Sequence, residues 1–238
     1  MRVVYDTEFT NTSDTRKSIM KAYNEQGVIE TLTEMEFTVD GIPVKRVDCS
    51  YYDYLSDKLK DKQITECHDT GVVKKTCLEE FSETGDTEAS TEVIYDTNGR
   101  YTEFTASGSD ENGEYRYEGT LEYTDEGSYC IVERYDEDNK ISATIEREYY
   151  ANGTLRKSIY SVFGEDGNKS EEWVYEYDEQ SNPLSLVITE WGILKKEGII
   201  IYNSDGSMDC YEKHWDSEGN VIFTDSNCFD KDGNLIEE

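Results

Sequence analysis

The sequence predicts an all-β chain, an up-and-down antiparallel meander of about 17 short strands with a repeat of about 14 residues. Three observations predict it. Glycines recur mostly at intervals of 14 residues, an aromatic residue precedes most of them by four positions, and the residues between them alternate in polarity. Since no linker or break in composition interrupts this pattern, residues 1–238 are expected to form a single β-repeat domain.

The repeating unit is aromatic-Asp-x-x-Gly, as in residues 95–99 and 229–233. An Asp or Asn that opens a turn accepts hydrogen bonds from the backbone ahead of it, and Gly takes the positive φ at which the chain re-enters a strand. Asn139 occupies the Gly position of one unit, and Asn tolerates left-handed geometry next best after Gly. Tight turns are therefore expected near Asn98, Asn112, Glu126, Asn152 and Asp166.

The phase of the repeat also predicts elements where the motif is degenerate. Irregular turns are expected at residues 9–13, near Ser56, near Ser181 and at Trp191-Gly192. Residues 52–64 also fit a short helix, but the phase places strands there, so strands are predicted. A sheet of about 17 strands exceeds the roughly ten that a strongly twisted open sheet tolerates. We therefore expect one large curled sheet or shell, with two packed halves or a covering second molecule as the alternatives.

The segment 114–123 shows the alternation of the strands most clearly. Side chains two positions apart lie on the same face of a strand. The residues expected on the more buried face are Tyr115, Tyr117, Leu121 and Tyr123. The residues expected to face water are Arg116, Glu118 and Glu122.

Composition restricts the classes of function. The formal net charge is −31, from 54 acidic and 23 basic residues, which opposes direct binding to a nucleic-acid backbone.

Leu, Ile, Val and Phe make up 47 of 238 residues, a fraction typical of disordered chains, but 19 Tyr and 3 Trp supply further apolar area. No apolar run is long enough to span a membrane. Because the first residues lack an apolar leader, a cytoplasmic protein is expected, with export after removal of a leader as the alternative.

Residues for catalysis or metal binding are few. His68 and His214 are the only histidines, and neither belongs to a nucleophile motif. The six cysteines lack C-x-x-C spacing, so free thiols are expected rather than a zinc site, although Cys67 and Cys77 could pair in an exported protein. An EF-hand alignment on Gly233 leaves no twelfth ligand. We therefore predict a protein that is not an enzyme and holds no cofactor or metal.

The Tyr-Asp-x-x-Gly units resemble the YD/RHS-type repeats of bacterial cell-surface and toxin-associated proteins. More loosely, they resemble the MORN-variant repeats of bacterial antitoxins and immunity proteins. The period of about 14 is shorter than is usual in those families, and the basic-glycine lead of MORN units is absent. The resemblance implies a β-repeat scaffold that encases, binds or neutralises a partner, and it transfers no catalytic residue.

The first functional hypothesis is an acidic, immunity- or antitoxin-type protein that binds a basic protein, such as a toxin domain. Residues 82–138 carry 17 acids against three arginines, a charge that would steer a basic partner towards the sheet. Acids on alternate positions of one strand would form a patterned surface, and tyrosines at its margin would anchor the partner. The candidate binding residues are Glu114, Tyr115, Glu118, Glu122 and Tyr129.

The alternative hypothesis is a secreted or cell-surface module that binds carbohydrate or scaffolds an envelope assembly. Exposed indole rings are common platforms for stacking. The candidate aromatic platform consists of Trp173, Trp191 and Trp215.

Overall fold

The computed structural model of the chain describes residues 4–11, 15–54, 58–110 and 113–236. These residues form strands joined by turns and bends, and they contain no helix. The first eight strands are β1 (Val4–Asn11), β2 (Thr15–Tyr23), β3 (Ile29–Thr38), β4 (Pro43–Asp53), β5 (Lys58–Cys67), β6 (Val73–Phe81), β7 (Thr87–Tyr95) and β8 (Tyr101–Asp110). The next five are β9 (Gly113–Thr124), β10 (Gly127–Tyr135), β11 (Ile141–Tyr150), β12 (Leu155–Phe163) and β13 (Lys169–Tyr177). The last five are β14 (Pro183–Glu190), β15 (Ile193–Tyr202), β16 (Met208–Trp215), β17 (Val221–Phe229) and β18 (Leu235–Ile236).

The chain divides into two compact units, Met1–Glu118 and Gly119–Glu238, and β9 contains the division. In the first unit, each strand from β1 to β8 pairs antiparallel with the next along the chain. In the second, β9 pairs with β10, and every later strand pairs antiparallel with its successor. The predicted all-β antiparallel meander is confirmed, with 18 strands in the described residues. The single-domain arrangement over residues 1–238 stays a prediction.

One hairpin geometry recurs twelve times in the described parts of the chain. At residues 96–100, the Gly99 amide donates to the Asp96 carbonyl at 3.0 Å, and the Asp96 amide donates to the Arg100 carbonyl at 2.8 Å. The Asp96 carboxylate accepts the amides of Asn98 and Arg100, and Gly99 has a φ of 80°. This is a type I turn followed by a left-handed residue, which is the mechanism that the motif predicts. The equivalent hairpins begin at Asn24, Thr38, His68, Ser82, Asp136, Tyr150, Gly164, Asp178, Asn203, Asp216 and Asp230.

Two further turns follow different geometry. Trp191 and Gly192 form a two-residue turn in which both φ angles are positive, 50° and 76°. The turn after β9 enters β10 at Gly127, which has a φ of 151°. A Cβ atom at Gly127 would collide with the carbonyl oxygen of Tyr149 on β11, so this position requires glycine.

The turns predicted at Asn98, Glu126, Asn152 and Asp166 are confirmed. The degenerate turns at Ser181 and at Trp191-Gly192 are confirmed as well, and Asn139 has a φ of 61°. The strand prediction for residues 52–64 holds where the chain is described, because β5 begins at Lys58. Asn112, Ser56 and residues 12–13 lie outside the described residues, whereas residues 9–11 of the first predicted turn belong to β1.

Burial is sparse in both units. Among the described residues, the buried ones are Ser18, Thr33, Gly119, Leu121, Cys130, Ala143, Thr144 and Ser161. Most other strand side chains are half-buried, as expected where a sheet face is not covered by a second layer. None of the described segments forms a helix that is long and apolar enough to cross a membrane.

Candidate functional site

A cavity of about 450 Å³ opens on one face of the second unit, above Gly198 in the middle of β15. It arises from the register of five strands. Tyr175, Leu186, Gly198, Glu212 and Asp225 lie directly opposite one another on β13 to β17, so they share one face, named here the Tyr175 face. Because Gly198 has no side chain, this row has a gap at its centre.

The gap is open rather than filled by neighbouring side chains. A Cβ atom placed on Gly198 would find its nearest neighbours at 3.9 Å, the carbonyl oxygen of Tyr211, and at 4.0 Å, the Cβ of Leu186. The walls combine the apolar side chains of Tyr175, Leu186 and Phe223 with charged groups. Such a mixture of apolar walls and a few polar groups is typical of ligand pockets, which span about 300–1,000 Å³.

Three charged side chains line the cavity. The Lys196 ammonium lies 3.0 Å from a Glu212 carboxylate oxygen, and the other oxygen of Glu212 contacts His214 Nε2. The hydrogen bonds from His214 and Lys196 lower the pKa of Glu212, so this carboxylate is ionised and already compensated. His214 also stacks edge-on against Phe223, with ring centroids 5.2 Å apart.

Asp225 is the uncompensated charge of the cavity. Its carboxylate accepts the Ser226 amide at 3.0 Å and the Asn227 side-chain amide at 2.7 Å. No ion pair in the described part of the chain includes Asp225. Since a carboxylate offers about four acceptor positions, both oxygens retain capacity for a donor that enters the cavity.

The lining of the cavity contains one thiol. The one thiol in its lining, Cys210, has a pKa raised by desolvation. It is therefore protonated near neutral pH, and a protonated thiol is a poor nucleophile. Among the described residues, no group of three or more His, Cys, Asp or Glu side chains could hold a metal ion. No disulfide joins Cys67 to Cys77, and both are free thiols.

Two of the three predicted acidic residues of β9 are exposed, as the alternation indicates. Glu114 and Glu122 are exposed, whereas Glu118 is half-buried and forms an ion pair with Arg116. The predicted apolar face is confirmed, since Leu121 is 7 % exposed and Tyr115 is half-buried. Glu114 and Glu118 belong to the first unit and Glu122 to the second.

The two tyrosines predicted as anchors, Tyr115 and Tyr129, contact other residues of the protein. Tyr129 on β10 donates its hydroxyl to Glu146 at 2.8 Å. Desolvation, followed by this hydrogen bond, raises the pKa of Tyr129 to about 12. The Tyr115 ring packs against Tyr117, and its hydroxyl occupies the space above Gly108 that a Cβ there would need. Both side chains are half-buried, and their role in binding stays a prediction.

The three tryptophans occupy different positions in the second unit. Trp173 lies on β13 two residues before Tyr175, on the Tyr175 face, and packs edge-on against Tyr160. Trp191 is 64 % exposed at the tip of a turn, where its indole lies against Gly164. Trp215 is half-buried at the end of β16. The strand register does not place these residues in one row.

The sequence did not single out the residues of the cavity. The available signal was Gly198, an isolated glycine inside a strand pattern, which often marks a close approach or a gap in the packing. The row of side chains around it comes from five strands and depends on their register.

No protein-family model matches the chain, and no curated protein is significantly similar to it. Among solved structures, a porin-like protein from Bacteroides uniformis is similar at 13 % identity and a TM-score of 0.32, covering 98 % of this chain and 96 % of that one. The TcdB2-TccC3 structure is similar at 9 % identity and a TM-score of 0.24, covering 98 % and 18 %. The Tc holotoxin pore of Photorhabdus luminescens is similar at 10 % identity and a TM-score of 0.21, covering 97 % and 18 %. These values are too low to assign a family.

Proposed function

We propose that this protein is a non-catalytic binding module that captures a basic protein partner, in the manner of an acidic immunity protein or antitoxin. The observation that carries the proposal is a formal net charge of −31 on antiparallel strands that present exposed acids such as Glu114 and Glu122. The proposed place of action is the cytoplasm, with export as the alternative.

The acids of β9 support this role because they are presented at regular spacing. Side chains on one face of a strand recur about every 7 Å. Glu114 and Glu122 are exposed, and neither forms an ion pair with another described residue. An uncompensated acidic surface accelerates encounter with a basic partner and disfavours nucleic acids and acidic proteins.

The experiment is affinity capture from a lysate of the native host, followed by binding kinetics with the recovered protein across a salt series. A basic partner should associate more slowly as the salt concentration rises, since screening shortens the reach of the acidic field to about 8 Å at 0.15 M ionic strength. Charge reversal of Glu114, Glu118 and Glu122 to lysine should weaken association at least tenfold.

The matched control reverses three exposed turn acids with the same change in net charge, namely Glu165, Glu179 and Glu218. It should change association by less than threefold, because those residues belong to the turns after β12, β13 and β16. Binding that is independent of salt would contradict the proposal. So would binding of glycans that is abolished by Trp173→Ala, which would support the carbohydrate-binding alternative instead.

A further inference from the structure

We propose that the cavity above Gly198 receives an arginine side chain of the basic partner. This inference rests on the proposed function and names the contact through which the second unit anchors that partner. It depends on three features of the Tyr175 face, which are the missing side chain at Gly198, the apolar walls and the uncompensated carboxylate of Asp225.

The volume and the walls match a long side chain with an apolar stem. The cavity of about 450 Å³ is at the smaller end of ligand pockets, and Leu186 and Tyr175 form an apolar surface beside the gap. The stem of arginine packs on such surfaces while its charged head reaches a polar group.

The charges of the cavity select a cation. The Lys196 ammonium and the Glu212 carboxylate form an ion pair at 3.0 Å, and their charges cancel. The lining therefore has one net negative charge, which comes from Asp225. Asp225 lies opposite Glu212 in the strand register, at the side of the cavity where Phe223 is 48 % exposed. A guanidinium can pair with a carboxylate and stack on an aromatic ring at the same time, which an ammonium does less well.

The open surface argues for a partner of opposite charge rather than a second copy of this chain. Two chains that each carry a net charge of −31 repel one another when they approach face to face. An arginine on a basic protein meets a favourable field from the whole surface and a specific contact at Asp225.

The test uses the full chain and Nα-acetyl-arginine amide as the probe, with binding followed by backbone amide shifts in two-dimensional NMR spectra. The expected result is a saturable shift confined to amides around the cavity, including Gly198 and Phe223. The citrulline analogue has nearly the same shape without the charge and should bind at least tenfold more weakly.

Two variants locate the contact. Gly198→Val fills the gap and should abolish the shifts. It should fold, because Gly198 lies in extended backbone and a Cβ there meets nothing closer than 3.9 Å. Asp225→Asn keeps the cavity and should weaken arginine binding at least tenfold.

The matched controls are Thr224→Val, on the opposite face of the same strand, and Glu218→Gln, which removes one exposed charge from a turn. Both should bind the probe as the natural chain does. Equal binding of arginine and citrulline, or unchanged binding by Gly198→Val, would overturn the assignment of the cavity.

The outcome also separates this inference from the proposed function. Capture of a basic protein without probe shifts at the cavity would reject the arginine site and leave the proposed function standing. Probe shifts at the cavity without capture of any basic protein would reject the proposed function and leave the arginine site standing.

Discussion

The fourth residue of the recurrent hairpin governs how the chain enters each new strand. Ten of the twelve recurrent hairpins have glycine there, and the remaining two have Asn139 and Ser181, with φ angles of 61° and 68°. A left-handed conformation costs a residue with a Cβ atom roughly 1–2 kcal/mol, and Asn recovers part of this cost through local hydrogen bonds. Ser181 is therefore the most strained residue of the series.

Ser181→Gly should raise the free energy of unfolding by about 1 kcal/mol, and Asn139→Gly should raise it by a smaller amount. The measurement is urea denaturation monitored by circular dichroism. The control is Ser158→Gly in the extended strand β12, where glycine should lower the free energy of unfolding by about 0.5–1 kcal/mol. A loss of stability in Ser181→Gly would contradict the assignment of a strained left-handed residue.

Strands combine two different ways of stabilising a sparsely buried sheet. In the first unit, cross-strand neighbours alternate in charge along the row Lys17, Glu36, Lys45, Glu66 and Lys75. Directly opposed charges of opposite sign stabilise antiparallel strands by roughly 0.2–1 kcal/mol each. In the second unit, β9 to β11 instead contain the buried apolar side chains of the described residues, which are Leu121, Cys130 and Ala143, so packing should contribute most there.

Leu121→Ala on β9 should lower the free energy of unfolding by about 3 kcal/mol, because it removes a side chain that is 7 % exposed and leaves a cavity. Glu122→Ala on the neighbouring, exposed position should change it by less than about 0.5 kcal/mol. Both values come from denaturant titrations of single variants. Similar losses in the two variants would show that β9 has no preferred buried face.

The charged groups determine how the stability of the complete chain depends on salt and pH. The net charge of −31 opposes compaction at neutral pH, and added salt screens this repulsion. The ionised turn aspartates, in contrast, stabilise the fold, and they lose this effect when acid protonates them. The hydrogen bonds that they accept from turn residues lower the pKa of Asp96, Asp166, Asp178, Asp205, Asp216 and Asp230.

Stability should therefore rise with salt at pH 7 and fall with acid below about pH 4. In the unfolded chain an aspartate has a pKa of about 3.9. A carboxylate whose pKa is lower than this in the folded state stabilises the fold at pH values above about 3.9. This contribution is lost as the pH falls through the pKa of the folded state. Urea titrations across pH 2–7, with and without salt, measure both effects. Asp216→Asn should reduce the acid sensitivity, whereas unfolding that is insensitive to salt at pH 7 would contradict the electrostatic account.

The amino-acid sequence alone determined the strands and turns because their chemistry is local. The hydrogen bonds of the hairpin at Asp96 join residues no more than four positions apart, and a motif of five residues contains all that is needed to form them. The same locality made the irregular turns at Ser181 and Trp191 predictable from the phase of the repeat. Alternation then indicated which residues of β9 share a face.

The cavity required the tertiary structure, because it depends on how strands align with one another. Tyr175 and Asp225 are 50 positions apart in the sequence, yet they belong to one cross-strand row through four successive pairings. A shift of one residue in any of those pairings would move the following side chains to the opposite face. The period of the repeat does not determine the register of the pairings. The gap at Gly198 and the carboxylate of Asp225 therefore lie on one surface only after the strands have paired.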